Sequence, residues 1–177
     1  MRGVGVWWAV AGGWALDLWL GEQTREHHDV EVVVQRQDQL ALHAGLSNEW
    51  ELQCLDPPGS GWRRWSGERI ELPAFQLQAR SPAGEFDIFL ETTRGDSWCF
   101  RRDERIERPM SEFTTITDAG IPIVRPEVQL LYMAKSNEPK HAHDFAVTRP
   151  TLDDQSASWL VRSLALAHPG HAWLNQL

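Results

Sequence analysis

Three acids are the residues of this sequence best suited to do chemistry: Asp29, Glu31 and Asp87. The run Asp-Val-Glu-Val-Val-Val over residues 29–34 reads as a strand. Residues two apart on a strand share a face. Asp29 and Glu31 are therefore expected to project together, while Val30, Val32 and Val34 turn into the core. Asp87 lies in Glu-Phe-Asp-Ile-Phe-Leu-Glu (85–91), where Phe86, Ile88 and Leu90 make the core face. If the two strands lie side by side, Asp87 joins Asp29 and Glu31. Carboxylates held together repel unless a cation or water screens them. Mg²⁺ is a hard cation that takes oxygen ligands and often binds carboxylates together with substrate phosphates. Two such ions about 3.5–4 Å apart can clamp the attacking and leaving oxygens of an in-line phosphoryl displacement. A third carboxylate can hold a metal near the acceptor hydroxyl or take its proton. An acidic pair on a strand is more often a solvated face, so its surroundings must decide.

The elements that would position these acids are legible in outline. Val-Trp-Trp-Ala-Val-Ala (6–11) reads as a buried strand, Gly12-Gly13 as a break, and Trp14 to Leu20 as a short helix stopped by Gly21. Glycines between a strand and a helix let backbone approach a phosphate, and the helix N-terminus offers N–H groups to it. Glu22 to His28 is a polar connector. Gln37 to Ala44 reads as a helix ended by Gly45, and residues 56–68 as a loop or irregular hairpin. Residues 74–80 and 85–91 form a hairpin across Ser-Pro-Ala-Gly. A further strand or pair is expected near 98–101 and 113–116, with a turn at Asp118-Ala119-Gly120. From Pro126 the pattern is helical: 126–136, 140–147 and 151–167, with Pro126 fitting a first helical position. The expected class is α+β: a mixed β-sheet flanked by helices over residues 1–125, then a small helical C-terminal region over 126–177.

Composition narrows the function classes. The chain has 177 residues, 42% apolar and 24% charged, as in an ordinary globular protein. A formal charge of −8 disfavours a nucleic-acid partner. Cys54 and Cys99 have no zinc-like spacing and read as reduced, buried thiols of a cytoplasmic protein. No stretch is long and apolar enough to suggest a membrane partner.

The ordered set of motifs is more specific than any one of them. Ala11-Gly12-Gly13-Trp14-Ala15-Leu16-Asp17 is followed by Gly21, by Thr24-Arg25, and by His28-Asp29-Val30-Glu31. This resembles the aminoglycoside and lincosamide nucleotidyltransferases of the polymerase-β-like nucleotidyltransferase superfamily. Their pattern is a G-G-W-A-x-D turn and helix, a T-R-x-H connector and an acidic pair on the next strand. The likeness continues at Gly120-Ile121-Pro122, along 126–132, and at Lys135, Lys140 and Asp144. It implies the polymerase-β-like fold and transfer of a nucleoside monophosphate: AMP from ATP, or the corresponding monophosphate from another nucleoside triphosphate. The acceptor would be a hydroxyl of a small molecule such as an aminoglycoside or lincosamide antibiotic, with pyrophosphate leaving and two Mg²⁺ ions as cofactors. By the same resemblance Asp29, Glu31 and Asp87 bind metal, with Asp87 a general base. Gly12, Gly13, Thr24, Arg25, Lys135 and Lys140 would surround the triphosphate. The pair here is Asp-x-Glu where many members have Asp-x-Asp; glutamate also ligates Mg²⁺.

Other readings carry less. A non-catalytic, antitoxin-like binding partner is opposed by the intact Gly-Gly turn and acids. A protein- or RNA-modifying relative would show Gly-Ser and Ser-Asp-x-Asp, absent here. His141 and His143 sit two apart on a predicted helix and do not share a face, which weakens an H-D hydrolase. His28 is placed to brace the acidic pair. Trp7, Trp8, Trp14 and Trp19 read as core, Trp62 and Trp65 as loop packing or a substrate cleft. Arg63-Arg64 and Arg101-Arg102 are secondary candidates for phosphate contacts, with solvation the default.

Overall fold

The computed structural model describes residues 1, 3–136 and 138–177. Among these residues ten strands are ordered β1 (Trp8–Ala11), β2 (Glu31–Gln35), β3 (Glu51–Cys54), β4 (Arg63–Arg64), β5 (Gln76–Ser81), β6 (Gly84–Arg94), β7 (Ser97–Cys99), β8 (Glu107–Pro109), β9 (Thr114–Ile116) and β10 (Pro122–Val124). Among the described residues six α-helices accompany them: α1 (Gly12–Leu20), α2 (Gln39–Leu46), α3 (Met110–Phe113), α4 (Pro126–Met133), α5 (Pro139–Thr148) and α6 (Asp154–Ala167). The sheet runs β4-β3-β5-β6-β2-β1-β10-β9, and β7 and β8 extend the far end of β6. It is mixed: β2 pairs β6 and β1 pairs β10 in parallel, while the other pairs are antiparallel.

Both faces of the central strands are covered. Val32, Val34, Ile88, Leu90 and Leu77 pack against Leu42 and Leu46 of α2 on one side. Ala9, Val33 and Val124 pack against Val128, Leu130, Leu131, Phe145, Leu160 and Leu164 of the C-terminal helices on the other. This is why β2 carries consecutive valines rather than an alternating pattern. All eight residues of α4 are buried. The helical region after residue 125 thus shares a core with the sheet, and β10 ends just before it.

Several boundaries move for physical reasons. The second strand starts at Glu31, not Asp29; Val30 is exposed instead of core, although its carbonyl still accepts from Asp87 N–H at 2.9 Å. Gly45 lies inside α2 rather than ending it, and its missing side chain makes room for Val4, whose Cγ1 would stand 2.6 Å from a Cβ there. Gly21 does stop α1, adopting φ 78° in the left-handed region. The tract over 56–68 contributes β4, which forms a hairpin with β3. Strands β3, β8 and β10 were not anticipated; each has only three or four residues, too few for a period-2 pattern to register. Trp65 is core, while Trp19 and Trp62 are both 38% exposed. Cys54 and Cys99 are buried free thiols. Among the described residues no helix is long and apolar enough to cross a membrane.

Phe145 fixes α5 to this core, stacking on Trp173 with ring centroids 4.2 Å apart. Phe145→Ala should cost about 3–5 kcal/mol of stability, the range for emptying a buried aromatic site. Urea unfolding checks this: an unchanged midpoint would show that α5 is held by other means.

Candidate active site

One row of the sheet brings the acids to the glycine turn. Glu31 faces Asp87 across the parallel β2–β6 pairing and Ala11 across the antiparallel β1–β2 pairing. Ala11 leads directly into Gly12-Gly13 and α1. Gly12 has φ +66°, and a Cβ there would fall 1.8 Å from Glu31 Oε2, so only glycine admits the carboxylate. The Gly12 N–H donates to Gln129 Oε1 of α4 at 2.9 Å. A Cβ on Gly13 would meet Arg25 Nη2 and His27 Cε1, both at 2.3 Å.

The connector before β2 is pinned by buried acids on two helices. Asp17 of α1 is 4% exposed and accepts hydrogen bonds from the Thr24 hydroxyl and the His27 ring. Burial works to raise its pKa, but those bonds outweigh it and hold Asp17 below the usual carboxylate value. His27 also packs on Trp14, with centroids 4.6 Å apart. Arg25 makes a two-pronged pair with buried Asp144 of α5, Nε to Oδ1 at 2.7 Å and Nη2 to Oδ2 at 2.9 Å. His28, expected to brace the acidic pair, is exposed, and its neighbour His27 instead ties the connector to Asp17. The spacing Thr-Arg-x-His fits His27 and could have found it, but nothing in the sequence showed that Asp17 receives it.

A cleft of about 350 Å³ opens over this row. It is lined by Gly12, Gly13, Arg25, Asp29, Glu31 and Asp87, and also by Lys135 and Lys140. Eight of the nine expected site residues therefore meet. Thr24 is not among the lining residues; its hydroxyl is committed to Asp17 at 2.7 Å. Arg101 and Arg102 also line the cleft, whereas Arg63 is paired with Asp56 and Glu68 elsewhere. His141 lines the cleft and His143 does not.

Sequence reasoning missed Glu91 and Tyr132. Glu91 is 1% exposed and accepts from Trp98 Nε1 at 2.8 Å, Tyr132 Oη at 2.6 Å and Arg101 Nη1 at 3.0 Å. Arg101 is held between rings, 4.2 Å from the Phe75 centroid and 4.4 Å from that of Tyr132. Arg102 donates to the Tyr132 carbonyl at 3.0 Å. Desolvation and the neighbouring Arg101 lower Arg102 to about 10. Burial, then Arg102 and Arg101, lower Lys135.

The carboxylates show the opposite strain. Burial, then repulsion from Asp29 and Asp87, pushes Glu31 up to about 7. Burial raises Asp87 too, against hydrogen bonds from Gln78 at 3.0 Å and Gln76 at 3.4 Å. The acids line one cleft without closing into a cage; among the described residues no three His, Cys, Asp or Glu side chains are gathered to hold a metal ion. A hard divalent cation nonetheless suits the donor set: it prefers carboxylate oxygen, and the repulsion that lifts Glu31 is what a cation relieves.

Glu31 binds its proton more tightly in the folded protein than at its ordinary value of 4.5. Its ionisation therefore lowers stability as pH rises from about 4.5 to about 7, and the loss is constant above that. Glu31→Gln should stabilise the metal-free protein at pH 8 by on the order of 2 kcal/mol and leave it nearly unchanged at pH 4. Thermal melts at the two pH values check this; a gain that does not depend on pH would contradict it. Gly12→Ala should instead destabilise at both, since the added methyl must displace the Glu31 carboxylate.

Residues 1–54 match the family described as aminoglycoside-2''-adenylyltransferase. No curated protein matches the chain in sequence. In structure it is similar to the lincomycin-bound lincosamide antibiotic adenylyltransferase LnuA, with TM-score 0.58 and 18% identity over 84% of this chain and 89% of that one. It is equally similar to ANT(2'')-Ia in complex with adenylyl-2''-tobramycin, at TM-score 0.58 and 14% identity over 91% and 88% of the two chains. The solution structure of the antibiotic-resistance factor ANT(2'')-Ia aligns at TM-score 0.55 and 14% identity, over 94% and 88%. At these identities the likeness speaks for the fold, and the N-terminal match adds the turn, the connector and the acidic pair. The chain thus resembles that family in sequence over its first 54 residues, and as a whole it shares the fold of these adenylyltransferases.

Proposed function

We propose that this cleft transfers a nucleoside monophosphate, AMP from ATP, to a hydroxyl of a small molecule, and that pyrophosphate leaves. The observation that carries this reading is the meeting of Asp29, Glu31 and Asp87 in one cleft with the Gly12-Gly13 turn. Antibiotics of the aminoglycoside or lincosamide type are the acceptor classes suggested by the proteins of like fold. A non-catalytic role is not favoured, because the cleft keeps uncompensated carboxylates that a binding scaffold has no need to hold.

Asp29, Glu31 and Asp87 would hold Mg²⁺, which supplies charge neutralisation and orientation of the phosphates when bound. The chain's own groups do the rest. The N-terminus of α1 presents backbone to the triphosphate at Gly13, while Gln129 occupies the Gly12 N–H and fixes the turn. Lys135, Lys140 and Arg102 offset phosphate charge from the helical side of the cleft. Arg25 contributes field more than contact, since two of its nitrogens are committed to Asp144. Asp87 is the group to accept the acceptor's proton; burial, by raising its pKa, makes it a stronger base. Much of the rate would come from positioning and charge stabilisation.

A transfer screen with Mg²⁺, the four nucleoside triphosphates and a panel of aminoglycosides and lincosamides tests the activity. Asp29→Asn should abolish transfer with the fold intact by circular dichroism. Asp87→Asn should lower kcat by about 10²–10⁴, the usual worth of a general base. Full activity in Asp29→Asn would overturn the assignment.

A further inference from the structure

The charge of the cleft bears on which acceptor it can take, and this step rests on nucleotidyl transfer at the same cleft. Its lining carries the acids Asp29, Glu31, Asp87, Glu91 and Glu138, and the bases Arg25, Arg101, Arg102, Lys135 and Lys140. Internal pairs remove many of them. Glu91 is satisfied by Arg101 at 3.0 Å, Arg25 by Asp144 at 2.7 Å, and Glu138 lies 3.3 Å from Lys140. Among the described lining residues this leaves Asp29, Glu31 and Asp87 against Arg102 and Lys135. The three acids are those proposed to hold metal. Arg102 and Lys135 face the triphosphate, so no carboxylate remains to receive the ammonium groups of a polycation, whose charge would go unpaired in the cleft.

The shape of the cleft agrees. In-line displacement puts the acceptor and the departing pyrophosphate on opposite sides of the reacting phosphorus. With the triphosphate at the Gly12-Gly13 turn, the acceptor lies toward Asp87 and β5. There the wall is Phe75 and Phe89, half-buried and stacked at 6.1 Å, with Gln76 beside them. Cation–π attraction for an ammonium group is blunted, because the Arg101 guanidinium already covers Phe75 at 4.2 Å. A ring with an apolar face and neutral hydroxyls suits such a wall, the amide of Gln76 supplying polar contact.

We propose that the acceptor site of this chain selects a neutral hydroxylated molecule with an apolar face and rejects polycationic amino sugars. The test is isothermal titration of the protein loaded with ATP and Mg²⁺, at physiological salt. Tobramycin is the polycationic probe and phenyl β-glucoside the neutral one. The expected result is tighter binding of the neutral probe, with tobramycin weaker by tenfold or more. Tobramycin binding as tightly as the glucoside, or tighter, overturns the proposal. Gln76→Glu, which puts a carboxylate on the acceptor wall and is checked for folding by circular dichroism, should raise tobramycin affinity at least tenfold; no gain in a folded variant also overturns it. Titration of ATP and Mg²⁺ alone separates the two readings, because absence of nucleotide binding counts against nucleotidyl transfer itself.

Discussion

Glu31 and Asp87 stand side by side because β2 and β6 pair in parallel with those residues in register. Both carboxylates are partly withdrawn from water; Asp29 and Asp87 raise the cost of ionising Glu31, and Asp29 raises that of Asp87. Much of the surrounding structure keeps this arrangement in place. Two valine- and leucine-rich layers clamp the central strands from both faces, so their register cannot slip without turning core residues outward. Gly12 removes its side chain to let Glu31 in. Gln76 and Gln78 on β5 hold Asp87 with neutral donors, which fix its direction and leave its charge uncancelled.

A second tier of buried acids works differently. Asp17, Asp144 and Glu91 face no metal in the proposed mechanism. Each is at most 4% exposed and each is saturated by donors: Thr24 and His27, then Arg25, then Trp98, Tyr132 and Arg101. Removing one member of such a group leaves a buried charge without its partner, which costs more than the pair contributes. These acids anchor the connecting segments of the chain. Asp17 and Asp144 tie the 22–28 connector to α1 and α5, and Glu91 ties the arginines after β7 to α4. The cleft thus has floor, roof and wall from segments far apart in sequence, joined by satisfied buried charges.

The chemistry-bearing block was legible early because it is local. Gly12-Gly13, the connector and Asp29 to Glu31 lie within twenty residues, and strand, turn and helix signals separate them cleanly. Asp87 was harder: its face followed from alternation with Phe86, Ile88 and Leu90, but its neighbour did not. The strands missed were the short ones, β3, β8 and β10, in which a three- or four-residue run has no measurable period. Val30 was misplaced because the apolar alternation continues past the point where β-pairing stops.

The sequence alone determined which residue types are present in which order: a glycine turn, an acidic pair, a third acid on an alternating strand, and a helical C-terminal stretch. Those features depend on periodicity and on local backbone rules, which act over a few residues. Tertiary structure decided what meets what. It put Glu31 opposite Asp87, tied His27 rather than His28 to a buried acid, withdrew Thr24 from the cleft, and brought Arg101, Arg102 and Glu91 to its wall. Those outcomes depend on strand order, on parallel register and on which buried charge finds which partner. They are long-range choices settled by the free energy of the whole core, and no short window of sequence contains them.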